Sequence, residues 1–249
     1  MRLSNGAFAL IAMTTAAVLL PLAACGSDSN GGASSAVATP TPFSGAPAAL
    51  TTVSTLSETA MQKEKELVEA VNAGAALYLR VESYVRDREM AGLATVDYPD
   101  RIVIETTIST DAEGKVVYES KEYTVDRDLL TSGVMTRGRA TVTAAESGEV
   151  FTYTMPEVNA DIGDWISARF AVLDKLQSDD WTQRETEGVG GQDIYVFDAT
   201  STTPFGKTFK SVLKVPKGDP FLLESLRYEV RDGQQILVGH DRHLEVATR

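Results

Sequence analysis

Apolar residues recur every third or fourth position near residues 55–75 and every second position over much of the stretch that follows. In the first region Met61, Leu67, Val68, Val71 and Ala75 fall on one side of a helical period. Thr55 and Glu58 stand at capping-box spacing, and Gly74 is a natural stop. The spacing predicts one helix over 56–73.

After it the period becomes two. Leu77, Leu79, Val81 and Val85 alternate with Tyr78, Arg80, Glu82, Tyr84 and Arg86, and Ile102, Ile104 and Ile108 alternate with Val103, Glu105 and Thr107. Successive side chains of a strand point to opposite faces, so these are half-buried strands of an antiparallel sheet. Turn signals follow at DAEGK (111–115), ESGE (146–149), GVGGQD (188–193), PKGDP (216–220) and RDG (231–233). Further strands are predicted near 116–125, 133–142, 150–155, 181–185, 194–199, 208–215, 222–231 and 236–246.

One helical stretch interrupts them. Asp164 suits an N-cap, and Trp165, Ile166, Phe170, Leu173 and Leu176 recur at helical spacing through Gln177. This helix either packs as plain core or covers the open side of a curved sheet and lines a cavity. Both roles need the same apolar stripe, so the pattern leaves both open. The order of elements implies an α+β fold dominated by one antiparallel sheet, with connections short enough for hairpins. Leu77, Leu79, Val81, Ile102, Ile104, Phe209, Leu213, Leu226 and Tyr228, together with Trp165, Phe170 and Leu173, are the expected lining of one continuous apolar face. A curled sheet either fills such a face with its helices or leaves room for an apolar guest.

Charge narrows the partners. The 249 residues carry a formal charge of -12 and a pI near 4.7, with no basic stripe, so nucleic acid is not an expected partner. At the N-terminus, Met1 and Arg2 precede an apolar run from Ala7 to Leu20, and Leu22, Ala23, Ala24 and Cys25 then match the bacterial lipobox. Residues 1–24 read as a lipoprotein signal peptide and Cys25 as the lipidated residue. The Ser, Gly, Ala, Pro and Thr-rich stretch to residue 53 reads as a flexible tether with a reach of about 30 Å. Residues 54–249 read as the folded domain, held by its lipid at the extracytoplasmic side of the cell membrane.

Catalytic constellations are not found. There is no G-x-S-x-G, and with the only cysteine lipidated no thiol remains for nucleophilic work. His240 and His243 lie three apart in a predicted strand, where alternation puts them on opposite faces and argues against a shared metal. The glycines at 188, 190 and 191 lie between two strands, and Asp193 replaces the third glycine of a phosphate loop, so they read as a hairpin turn. The pairs Asp126 and Asp128, Asp161 and Asp164, and Asp179 and Asp180 lie in or beside turns and caps, where Asp serves the backbone. No enzyme activity, cofactor or metal is expected.

The lipobox, the tether, a helix leading into long strands, and the wording RETEGVGGQDIYVFDAT and FKSVLKVPKGDPFLLESLRYEVRDGQQILVGHDRHLEV within 184–246 together resemble the LolA/LolB-like extracytoplasmic carriers. The likeness is nearest to lipoproteins of the LppX and LprG type. It covers about 56–246 as architecture and the last part by wording, and it assigns no functional residue. The resemblance implies an incomplete, strongly curved β-barrel with helices closing its concave side and an apolar cavity for acyl chains of lipids or lipoproteins. Burying each methylene contributes about 0.8 kcal/mol, which suits such guests. LolA itself is a soluble shuttle, whereas the anchor cysteine here implies a tethered carrier or acceptor. The alternative implied by the same fold is a sensor or regulatory module resembling RseB, with a membrane protein as its partner.

Overall fold

The structure is a computed structural model that describes residues 46–47, 50–86, 99–136, 138–154, 176, 181–184, 187–189 and 192–249. Helix α1 spans Leu50–Asn72, starting upstream of the predicted residue 56. Thr55 therefore sits inside the helix, where its carbonyl accepts a 2.9 Å bond from Thr59 Oγ1, rather than at a cap. The helix ends as expected: Gly74 takes φ +99°, which only glycine adopts easily, and Ala75 N–H donates to the Ala70 carbonyl.

The buried side of α1 is Val53, Leu56, Ala60, Leu67 and Val71, with Val68 packed against it. Met61, expected on that side, is 60% exposed. Small Ala60 takes the contact position instead, one residue earlier on the helical wheel.

Among the described residues thirteen strands form one antiparallel sheet. In chain order they are β1 (Ala46–Pro47), β2 (Leu77–Val85), β3 (Arg101–Thr110), β4 (Val116–Tyr123), β5 (Leu129–Thr136), β6 (Arg139–Ala144) and β7 (Val150–Thr154). Then come β8 (Trp181–Gln183), β9 (Glu187–Val189), β10 (Gln192–Thr202), β11 (Thr208–Pro216), β12 (Glu224–Arg231) and β13 (Gln234–Thr248). The spatial order is β1-β8-β10-β11-β12-β13-β2-β3-β4-β5-β6-β7, with β9 also paired to β10. Two meanders thus meet where β13 pairs with β2, and among the described residues the ends β1 and β7 do not pair with each other. Ala46 and Pro47, expected within the tether, pair with Gln183 and Thr182, an edge position that proline tolerates.

Most turns fall where the sequence places them. Asp232 (φ +52°) and Gly233 (φ +76°) form the two-residue hairpin between β12 and β13, and Asp111 Oδ1 accepts from the backbone N–H of Glu113 and Lys115. The strand predicted over 133–142 is instead the end of β5 and the start of β6. Thr136 pairs with Arg139 there, and Gly138 has φ +71°. The predicted helix over 164–177 lies outside the described residues except for Leu176, which is buried in the core cluster.

That cluster joins α1 to one face of the sheet, here called the inner face: Leu77, Leu79, Ile108, Tyr118, Phe197, Leu213 and Val215, with Trp181, Phe221 and Leu223. Lys63 of α1 ion-pairs with Asp219 and lies 5.3 Å from the Phe221 ring centroid, which ties the helix to the turn before β12. Replacing Leu213 with Ala is expected to cost about 2–5 kcal/mol by leaving a cavity. Met61→Ala should stay within about 0.5 kcal/mol of the parent. Urea denaturation of the two variants checks the helix orientation; a costly Met61 change would reverse it.

Candidate functional site

Antiparallel register decides which side chains share the inner face, because directly paired residues point the same way. Leu77 pairs with Ile108, Leu79 with Thr106, Val81 with Ile104 and Ser83 with Ile102. The structure therefore brings the predicted residues Leu77, Leu79, Val81, Ile102 and Ile104 together on one buried surface. Leu213 lies on the same face through Phe197 and Ser225, and Phe209 stands four residues away on the same strand.

Leu226 and Tyr228 do not join them. They pair with Val212 and Lys210, the neighbours of Leu213 and Phe209 on β11, so they point to the opposite face. Strand β11 is buried on both sides, with Val212 and Leu213 both below the surface, and there alternation of apolar residues no longer identifies the inner side. Trp165, Phe170 and Leu173 lie outside the described residues, as does Cys25. The core aromatics Tyr118, Trp181, Phe197 and Phe221 were not singled out by the sequence pattern. Tyr118 carried the plainest signal, since Val116, Tyr118 and Ser120 repeat at period two.

Along the strands the inner face changes character. Leu77, Leu79 and Leu213 pack directly with α1 as solid core, while Val81, Ile102 and Ile104 are buried outside that cluster. From Leu79 across β3 to β6 runs the row Thr106, Ser120, Gly133 and Val142, and beside it the row Val81, Ile104, Glu122, Thr131 and Ala144. The first row is built of small side chains. A Cβ added at Gly133 would meet only Thr141 O and Val142 Cγ2, both at 3.6 Å, which is ordinary contact. The second row holds one buried carboxylate, Glu122, whose Oε2 accepts a 2.9 Å bond from Thr131 Oγ1. That bond offsets part of the cost of burying it.

The opposite face carries ion pairs. Arg184 Nε lies 2.7 Å from buried Asp198 Oδ2, and burial pulls the nearby Lys210 ammonium below its usual pKa. The histidines separate as alternation requires. His240 pairs with Leu226 and Tyr84 on the opposite face, where its Nε2 lies 2.8 Å from Glu224 Oε1. His243 faces inward beside Val81, with Nδ1 3.0 Å from the Phe221 carbonyl. Among the described residues no group of His, Cys, Asp or Glu could hold a metal ion. Val189 pairs with Gln192 in antiparallel register, while the glycines at 190 and 191 lie outside the described residues.

No protein-family model matches the chain, and no curated protein matches it. Among solved structures it is similar to MucB, at 13% identity and TM-score 0.36 over 76% of this chain. The chain spans 58% of the length of MucB. It is also similar to LprF from Mycobacterium bovis, at 12% identity and TM-score 0.36 over 77% of this chain and 92% of that one. A third likeness is to a LolA superfamily protein from Nitrosomonas europaea, at 10% identity and TM-score 0.23 over 74% and 93% of the two chains. At such identities and TM-scores these likenesses assign no function.

The Glu224 carboxyl is held below its usual pKa, chiefly by its hydrogen bond with His240, against a smaller opposing effect of burial. A depressed carboxyl stabilises the fold above its unfolded pKa, and that stabilisation is lost as pH falls through the folded value. Glu224→Gln should therefore lower the urea midpoint near about pH 7, and the gap to the parent should close below about pH 4. A gap that persists in acid would mean the pair acts by shape rather than charge.

Proposed function

We propose that this protein is a membrane-anchored extracytoplasmic lipoprotein that binds or carries lipid or acylated molecules against the inner face of its sheet. The observation that carries the reading is the part of that face beyond α1. Val81, Ile102 and Ile104 continue the apolar floor there, next to the small-residue row of Thr106, Ser120 and Gly133. Apolar side chains beside small ones on one face suit a flexible hydrocarbon chain, which gains by burial and needs no fixed hydrogen-bond partner.

In this reading residues 1–24 are a signal peptide, Cys25 bears the lipid, residues up to 53 tether the domain, and residues 54–249 bind the cargo. Among the described residues no helix is long and apolar enough to cross a membrane, and lipidation of Cys25 supplies the attachment. No catalytic group enters the proposal.

Gly133, in the small-residue row, supplies the test. In Gly133→Leu the fold should survive, because the first added atom meets only ordinary contacts. The added side chain would displace about two methylenes of a bound chain, weakening decan-1-ol binding about tenfold. Calorimetric titration of the full chain and this variant measures it. Unchanged binding with an intact fold, or no binding by the parent, would overturn the reading. Recovery of one membrane protein by the parent without any lipid would favour the regulatory alternative.

A further inference from the structure

On the side away from α1 the inner face becomes charged, with Arg227, Glu229 and Asp241 on it. Arg227 pairs with Ser211 on β11 and Gly239 on β13, two residues beyond inward-facing Ser225, so it shares the face with Leu213 and Phe209. Its guanidinium lies 4.1 Å from the Phe209 ring centroid. Such stacking holds the planar group in place while leaving its N–H edges available.

Among the described residues no carboxylate forms an ion pair with Arg227. The acid next along its strand, Glu229, is engaged by Arg231 at 2.6 Å. Burial alone lowers the pKa of Arg227, with no neighbouring acid acting against it, and a guanidinium stays charged even so. In a chain with a net charge of -12, a half-buried arginine without a counterion is unusual. Burying a charge without compensation costs stability, which a bound anion would recover.

Two local features shape its surroundings. Gly239 puts no side chain beside the base of the Arg227 side chain, and a Cβ added there would stand 3.7 Å from Arg227 Cβ and 4.0 Å from the Tyr84 carbonyl. The register also shifts between Arg227 and Tyr228, leaving Val238 as the extra residue of β13, and the Val238 carbonyl accepts from Arg86 N–H. Such a bulge bends the strand and changes how neighbouring side chains aim.

We infer that Arg227 receives the anionic headgroup, phosphate or carboxylate, of an amphiphile whose hydrocarbon chain lies along the inner face toward Ile102, Ile104 and Val81. The inference rests on the lipid-binding reading above and adds the headgroup class to it. A guanidinium binds a phosphate or carboxylate through two parallel N–H donors, and a stacked, partly desolvated one holds it more strongly than an exposed lysine would.

The test titrates decyl phosphate, decan-1-ol and inorganic phosphate into the full chain and into Arg227→Gln and Arg227→Lys. The parent is expected to bind decyl phosphate about tenfold or more tighter than decan-1-ol. Arg227→Gln should abolish that ratio while leaving decan-1-ol affinity unchanged, and Arg227→Lys should restore part of it. Inorganic phosphate should compete only at far higher concentration, since it lacks the chain. Equal affinity of the parent for both decyl compounds, or an unchanged ratio in Arg227→Gln, would overturn the headgroup assignment and leave chain binding standing. Inorganic phosphate competing as well as decyl phosphate would overturn it too, by making the site a simple anion site. Failure of the parent to bind either decyl compound would overturn both this inference and the reading beneath it.

Discussion

The pairing of β13 with β2 is the interaction on which the rest of the structure depends. It runs from Gly239 opposite Val85 to Thr248 opposite Leu77, and it is closed by reciprocal bonds between the backbones of Ala76 and Arg249 at 2.9 Å. Every other strand pairing lies within one of two meanders, β2 to β7 and β8 to β13, whose neighbours are close in sequence apart from the short β1. Without this seam each meander would expose an unpaired edge, one at β2 and the other at β13. The seam joins residues near 80 to residues near 245, so its loop-closure cost is set late in folding, and the sheet is expected to form slowly. Arg249, stacked 3.4 Å from the Tyr78 ring centroid and bound to Glu245, holds the end of the last strand against the first long one.

Once the seam forms, both meanders contribute to one inner face, and α1 has a single surface to cover. The helix covers one end only, where Leu77, Leu79 and Leu213 lie under Val53, Leu56, Leu67 and Val71. Away from it the face passes through Ile104 and Val81 to Glu122 and Arg227, so polarity rises along the strands. A surface that is apolar at depth and charged at one margin has the polarity of an amphiphile. That match links the fold to the proposed cargo and explains why the positive group is not cancelled within the chain.

Much of the fold was legible because period-two alternation and turn residues are local signals. Leu77 to Val85, Ile102 to Ile108 and the Asp232–Gly233 hairpin follow directly from them. The turn at Gly138 was missed because Arg137 and Arg139 carry no turn chemistry and the flanking residues keep strand composition. Met61 was misplaced because a helical wheel read from hydrophobicity favours the larger residue, whereas packing chose Ala60. For the site, the apolar pattern puts Leu226 and Tyr228 inward because their neighbour β11 buries residues on both faces, and only register separates them. Arg227 was invisible to an apolar pattern, since its significance comes from Phe209 and Gly239 on two other strands.

The central claim is that the inner face holds hydrocarbon. Native mass spectrometry of the full chain, purified from the membranes of cells that produce it, tests this most directly. The expected result is a non-covalent adduct with the mass of an acyl-chain amphiphile, shed on collisional activation and separate from any covalent lipid on Cys25. A chain that carries no such adduct, even after incubation with lipid, would contradict it.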